Sequence, residues 1–301
     1  MAPRAAGSRI AAWVTAARPL AHANIAPPIL LGVAMGCAAS RRIDGTGLAL
    51  AVAFGVLDHL VIVFFNDLAD EEADRGVPPT IVSGGSRVLV DGRIARADLW
   101  RAAIAAAVVL LALSGAIAAT LAPMVLPLAL AALALLWLYS GDPVRLSYRG
   151  GGSVLQGLGV GVVLPLVGAT LQSPAAPLPL TMLAPSFLLG VAGNLLTAMP
   201  DAEADAAAGK RTLASQGGVR VAAWAAVLLI SVGSVLGAAT FGGSPTEAQL
   251  LTVIPLVFLT PSLLLLRGIE RTRGVRLRFV LLALAAGSSA ILSWTVALLT
   301  P

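Results

Sequence analysis

Nine stretches of this chain are apolar for long enough to cross a lipid bilayer, and that pattern limits every other reading of it. Near 19–40, 46–66, 99–119, 122–141, 153–172, 178–199, 219–240, 248–266 and 277–299, Leu, Ala, Val and Gly run on with few charges. About 20 residues of helix cross the hydrocarbon core. The runs are continuous and lack the period-two alternation of barrel strands, so helices are expected. Only 12% of the 301 residues are charged, about half the usual share of a soluble domain. The expected fold class is therefore all-α: one polytopic transmembrane bundle over residues 1–301. The apolar stretch after Arg4 and Arg9 is interrupted by Arg18-Pro19, His22 and Asn24 and continues to Ser40. It reads as a retained first helix, since a cleavable leader has a short unbroken apolar core.

A net charge of +5 with pI ≈ 10.6 raises the question of nucleic acid. The placement of the charges answers it. With the N-terminus on the cytoplasmic side, eighteen basic residues fall on that side and only Arg41 and Arg42 on the other. That is the positive-inside asymmetry, so basicity here reports topology and anionic lipid, and no nucleic-acid partner is expected. The same asymmetry puts the polar loops on the cytoplasmic face of the cell membrane. The single cysteine, Cys37, lies inside the first span and reads as a small packing residue.

Acidic residues are concentrated in two places. Asp67, Asp70, Glu71, Glu72 and Asp74 end the second span, and Asp201, Glu203 and Asp205 end the sixth. Asn66, Asp70 and Asp74 stand at i, i+4 and i+8, one stripe of a helix, and Asp201 and Asp205 repeat the spacing. Carboxylates stacked this way repel, and near a membrane the cost rises, so a cation is expected between them. Oxygen ligands without His or Cys select a hard ion, magnesium before calcium, and magnesium completes its shell with water and substrate phosphate. The two stripes therefore describe a cage for a metal-bound diphosphate. Glu71, Glu72 and Glu203 fit solvated helix ends. The recurrence of an acidic turn after spans two and six suggests a pseudo-repeat, halves near 19–141 and 153–266 with a ninth helix at 277–299.

Basic side chains are expected to hold phosphate oxygens that the metal does not: Arg87, Arg145, Arg149, Lys210 and Arg211, of which Lys210 is the sole lysine. The two tyrosines, Tyr139 and Tyr148, border the loop after span four and suit either interface anchoring or substrate contact. Asp58 and His59 lie deeper in span two, where Asp58 extends the polar stripe. Val88-Leu89-Val90 with Ile94 forms a candidate amphipathic interfacial segment in the long loop 67–98. Gly32/Gly36 and Gly157/Gly161 match the small-xxx-small pattern of close helix contacts. No Ser-His-Asp, zinc or Walker-type pattern is present.

Asn66-Asp67-x-x-Asp70-x-x-x-Asp74 with Asp201-x-x-x-Asp205 resembles the signature of the UbiA-type intramembrane prenyltransferases, along nearly the whole chain. Ile81-Val82-Ser83-Gly84-Gly85-Ser86-Arg87-Val88-Leu89, Leu146-Ser147-Tyr148-Arg149-Gly150 and Gly209-Lys210-Arg211-Thr212-Leu213 resemble the menaquinone-pathway branch, the 1,4-dihydroxy-2-naphthoate prenyltransferases. The resemblance implies two Mg2+ ions held by Asn66, Asp67, Asp70, Asp74, Asp201 and Asp205, with the four Asp70, Asp74, Asp201 and Asp205 catalytic. It implies a site at the cytoplasmic end of the bundle, opening to lipid, where a prenyl group passes from its diphosphate to a small aromatic acceptor. Ala206 and Ala208 depart from the pattern, standing where many relatives carry Arg or a third carboxylate. Two other readings stay open at this point: a membrane terpene cyclase using the same acids without an acceptor, and a cation or metabolite transporter. Transporter sites lie nearer the midplane than these clusters.

Overall fold

The computed structural model describes residues 6–75, 80, 85–177 and 179–300. Arg4 and Ile81-Val82-Ser83-Gly84, both singled out in the sequence, lie outside the described residues. Helices follow in the order α1 (Ala6–Ala16), α2 (Ala26–Ser40), α3 (Gly45–Ala69), α4 (Glu71–Arg75), α5 (Arg96–Thr120), α6 (Val125–Ser140), α7 (Gly152–Leu158), α8 (Leu164–Gln172), α9 (Ala184–Ala198), α10 (Ala202–Ala207), α11 (Leu213–Gly217), α12 (Val219–Phe241), α13 (Pro245–Leu265) and α14 (Arg273–Leu299). No strand occurs among the described residues. The bundle pairs α2 with α8, α3 with α5, α9 with α12 and α13 with α14.

Six helices are long and apolar enough to cross a membrane, seven when the bent first pair counts as one, among the described residues. The expected segments near 122–141 and 178–199 are shorter: α6 has 16 residues and α9 has 15. At about 1.5 Å per residue each is roughly 23 Å long, less than a full bilayer core. Prolines delay α9, which starts with Pro185 in its first turn after Pro179 has capped a short turn. The first span departs from the single helix expected over 19–40. It turns at Arg18, held in the left-handed region at φ 43°, and Pro19–Asn24 forms a 3₁₀ turn. The segments Arg9–Asn24 and Ala26–Ser40 meet at 49°, and Pro27 and Pro28 start the second because neither needs an amide donor there.

Close approach of backbones sets the inner packing. A Cβ on Gly32 would lie 1.9 Å from the Pro165 carbonyl oxygen, and one on Gly36 2.6 Å from that of Ala169. Gly161 meets the Ser186 carbonyl in the same way, at 2.4 Å. Both small-xxx-small pairs thus lie at helix contacts, α2 on α8, and α7 with the turn after it on α9. Between α7 and α8 the chain makes one π turn, Gly159–Val163, and the Ser186 hydroxyl donates to the Gly161 carbonyl at 2.6 Å. Outward faces are apolar, as Leu264 at 78% and Leu228 at 63% exposure show, and lipid suits them.

The segment Val88–Val90 with Ile94 is a turn, not an interfacial helix. Val88 and Ile94 are buried with Ala12, Ala16, Phe64 and Leu99, so α1, α3 and α5 take up its apolar side chains. Packing against protein removes more apolar surface than a position at the bilayer edge.

Candidate active site

The first acidic stripe survives the end of α3. Asp70 closes that helix and α4 restarts at once, yet Asp70 N donates to the Asn66 carbonyl and Asp74 N to the Asp70 carbonyl, each at 2.9 Å. The i→i−4 ladder therefore carries Asn66, Asp70 and Asp74 onto one face. The second motif reaches its place differently. Pro200 ends α9 in a 3₁₀ turn, Met199–Asp201, and α10 then presents Asp205.

Both motifs line one cavity of about 380 Å³, which Asn66, Asp70, Asp74, Asn194, Asp201, Asp205, Lys210 and Arg211 all border. The Lys210 ammonium stands between the motifs, 3.3 Å from Asp70 Oδ2 and 3.8 Å from Asp205 Oδ1. Tyr148 donates its hydroxyl to Asp70 Oδ1 at 3.0 Å, and Ser140 donates to Asn66 Oδ1 at 2.8 Å.

Electrostatics here are those of a site short of positive charge. Burial, then the neighbouring Asp70 carboxylate, pushes Asp74 up to about 7. Burial also pushes Asp205 up to about 6, Lys210 partly offsetting it. For Lys210 burial works against the charge, but Asp70 and Asp205 outweigh it and hold the ammonium above its usual range. Burial, with Asp70 beside it, pushes the Tyr148 hydroxyl up to about 12. A lysine ammonium already bridging two acidic motifs marks the spot where a divalent ion would be stable. Among the described residues no three carboxylates converge on a single point. Paired carboxylates across an open cavity suit magnesium, which keeps waters and takes phosphate oxygens to complete its shell.

The other expected residues divide. Asp67 faces away from the cavity, its carboxylate taken by the Arg18 guanidinium, the Ser86 hydroxyl and, at 3.3 Å, the Ser86 amide. Burial at 3% exposure requires those partners, and they leave Asp67 tying the first span and the loop to α3. Arg87 reaches the Asp74 carbonyl at 2.6 Å and Arg145 the Ala69 carbonyl at 2.9 Å, so both brace the first acidic turn from outside. Arg145 also lies 4.0 Å over the Tyr148 ring. Arg149 is exposed and donates to the Pro143 carbonyl at 2.8 Å. Tyr139 lines the cavity and accepts a hydrogen bond from Asn194 at 3.1 Å. Asp58 is buried in α3 and is not part of the cavity lining, while His59 Nε2 lies 2.8 Å from the Ala17 carbonyl and its ring packs on His22.

Two features were missed in the sequence. Arg18 lines the cavity beside Asp74 although it lies some fifty residues before the first motif. With Arg87 and Arg145 it is one of three left-handed arginines around the first acidic turn, a conformation costing about 1 kcal/mol or more and often found at functional sites. The second is Glu203, assigned to solvent in the sequence. Arg276 of α14 holds it with two hydrogen bonds of 2.7 Å and also donates to the Met199 carbonyl at 3.2 Å. Arg273 lies 3.5 Å from Asp201. The second acidic turn is thereby fastened to the last helix. An arginine 72 residues downstream leaves no local trace beside the motif.

The fold and site together are a helical membrane bundle with two acidic turns facing each other over a cavity that Arg18, Lys210 and Arg211 also line. The chain matches the UbiA prenyltransferase family over residues 25–283 and belongs to it. It is thus a multi-pass membrane prenyltransferase. No curated protein matches it significantly. Among solved structures it is similar to a UbiA homolog from Archaeoglobus fulgidus bound to DMAPP and Mg2+, with TM-score 0.66 and 19% identity over 92% of this chain and 99% of that one. The same homolog bound to GPP and Mg2+ matches with TM-score 0.66 and 19% identity over 93% and 99%. The apo UbiA homolog from Aeropyrum pernix K1 matches with TM-score 0.61 and 20% identity over 88% and 97%. At these identities the likeness is one of fold.

Proposed function

We propose that this protein transfers a prenyl group from a prenyl diphosphate to an aromatic acceptor of the 1,4-dihydroxy-2-naphthoate kind, with Mg2+, at the cytoplasmic face of the cell membrane. The observation that carries the reading is the convergence of both acidic motifs, with Lys210 between them, on a single cavity. That relatives of the same fold bind DMAPP or GPP with Mg2+ supports it.

Asn66, Asp70 and Asp74 on one wall and Asp201 and Asp205 on the other are the residues that would hold the metal. Magnesium when bound neutralises charge on the leaving diphosphate. Lys210, Arg211 and Arg18 add fixed positive charge from the protein where that charge grows. Tyr148 holds Asp70 in place through its hydroxyl. The C–O bond of the prenyl diphosphate breaks with its electron pair leaving on diphosphate. A ring carbon of the acceptor supplies the pair for the new C–C bond, and the ring regains aromaticity by losing a proton, or carbon dioxide where a carboxyl group stood. Apolar side chains of α2, α9, α12 and α14 line a small adjoining cavity of about 50 Å³ and would help to keep water from an allylic cation.

Two of the three segments that resemble the naphthoate branch touch each other here. Arg211 N donates to the Tyr148 carbonyl at 3.1 Å, joining Leu146–Gly150 to Gly209–Leu213 beside Lys210. Product analysis of purified protein given geranyl or longer prenyl diphosphates, with and without 1,4-dihydroxy-2-naphthoate, tests the reading. A prenylated naphthoate is the expected product; a cyclic hydrocarbon or alcohol formed equally without the naphthoate would make the protein a terpene cyclase.

A further inference from the structure

Below the acidic turns lies a polar cluster that carries no formal charge. Asn194 of α9 donates to Tyr139 Oη at 3.1 Å and to Gln156 Oε1 at 2.9 Å, and accepts from Ser153 Oγ at 2.9 Å. The cluster joins α6, α7 and α9, and Asn194 is only 8% exposed. Polar bonds between membrane helices serve as glue, but a purely structural cluster would close on itself. This one does not. Both hydrogens of the Asn194 amide are used, whereas among the described residues neither the Tyr139 hydroxyl hydrogen nor the Gln156 amide hydrogens have an acceptor.

The position of these unused donors is informative. Tyr139, Ser153 and Asn194 line the diphosphate cavity. Gln156 lines a smaller, apolar cavity of about 50 Å³ between α2, α9, α12 and α14, with Pro27, Leu189, Ile230 and Leu284. Asn194 precedes Asp201 by seven residues, about 10 Å along a helix. The cluster therefore marks the border between the charged pole and the apolar interior. A prenyl diphosphate with its phosphates at the carboxylates and its tail among the helices has its reactive first carbon at that border.

On the reading of the site given above, we propose that Tyr139, Asn194 and Gln156 form the acceptor subsite: the Tyr139 hydroxyl donates to a phenolic oxygen of the acceptor and holds the adjacent ring carbon against the allylic carbon. Ser153 and Gln156 act as positioning residues through the Asn194 amide. The subsite is neutral, so it recognises a phenol or naphthol oxygen, and a carboxylate on the acceptor turns toward Lys210, Arg211 and Arg18.

The test compares wild type with Tyr139→Phe, which removes one oxygen and keeps the ring, in the full chain with Mg2+ and geranyl diphosphate. The probes are 1,4-dihydroxy-2-naphthoate and the two analogues that each lack one ring hydroxyl, 1-hydroxy-2-naphthoate and 4-hydroxy-2-naphthoate. Tyr139→Phe is expected to raise the naphthoate KM about tenfold more than the geranyl diphosphate KM, and to erase the wild-type preference for the dihydroxy acceptor over one of the two deoxy analogues. Gln156→Leu is expected to move the same ratio in the same direction, by less. Equal changes in both KM values, or an undiminished preference for the dihydroxy acceptor, would overturn the subsite while leaving the prenyltransferase reading intact. A wild-type protein that releases no diphosphate under any of these conditions would instead overturn that reading, and the subsite with it.

Discussion

Lys210 Nζ lies 3.3 Å from Asp70 Oδ2, although the two residues are 140 positions apart in the chain. The contact joins the two acidic motifs, and it places the only lysine where the proposed diphosphate would sit. Lys210→Met is expected to raise the prenyl diphosphate KM by about 10- to 100-fold, the range for one charge-assisted hydrogen bond. Lys210→Arg should recover part of the loss. Steady-state diphosphate release against substrate concentration measures it.

Arg276 and Glu203 make the next prediction. Arg276 is buried at 7% side-chain exposure and Glu203 is 72% exposed, so the pair is worth less to stability than its geometry suggests. Its effect is positional. Glu203→Gln is expected to weaken Mg2+ activation several-fold with little change in melting temperature, because the turn bearing Asp201 and Asp205 loses one side of its anchor. An Mg2+ titration of activity checks this.

The contact of α2 with α8 is tested by size alone. Gly32→Ala puts a methyl group within 1.9 Å of the Pro165 carbonyl and should cost about 1–3 kcal/mol. Gly287→Ala meets nothing within 4 Å and should be near neutral. Thermal unfolding in detergent compares the two.

Asp74 and Asp205, held at about 7 and about 6, give a pH signature. Their folded values lie above the ordinary carboxylate range. Their contribution to stability is therefore fully present below about pH 4 and is lost as pH rises through about 6 to 7. Mg2+ replaces the missing protons. The rise in melting temperature on adding Mg2+ is expected to be small at pH 5 and to grow through pH 7; a rise independent of pH would mean that neither carboxylate meets the ion.

Much of this was legible in the residues and some was not. Apolar runs marked the long helices, because in lipid the backbone has no alternative to helix, but not α1 or the short α4, α10 and α11. The i, i+4 spacing marked both motifs, since that spacing is local. Kinks were harder: Arg18-Pro19 was visible as an interruption, but the 49° bend depends on how the segment leans on α3. What the sequence hid was long-range. Asp67 and Asp70 look alike in the motif, yet one meets Arg18 and Ser86 and the other faces the cavity. Glu203 looked solvated because its partner stands on the last helix. The cluster around Asn194 draws on three helices that no single window contains.

If the two acidic motifs act together on one diphosphate, as proposed, neither can be lost without losing turnover. Mg2+-dependent diphosphate release from geranyl diphosphate, measured for wild type, Asp70→Ala and Asp201→Ala at matched thermal stability, tests it most directly. Each substitution alone is expected to lower the rate by about 100-fold or more. Near-wild-type release from both variants would contradict the account.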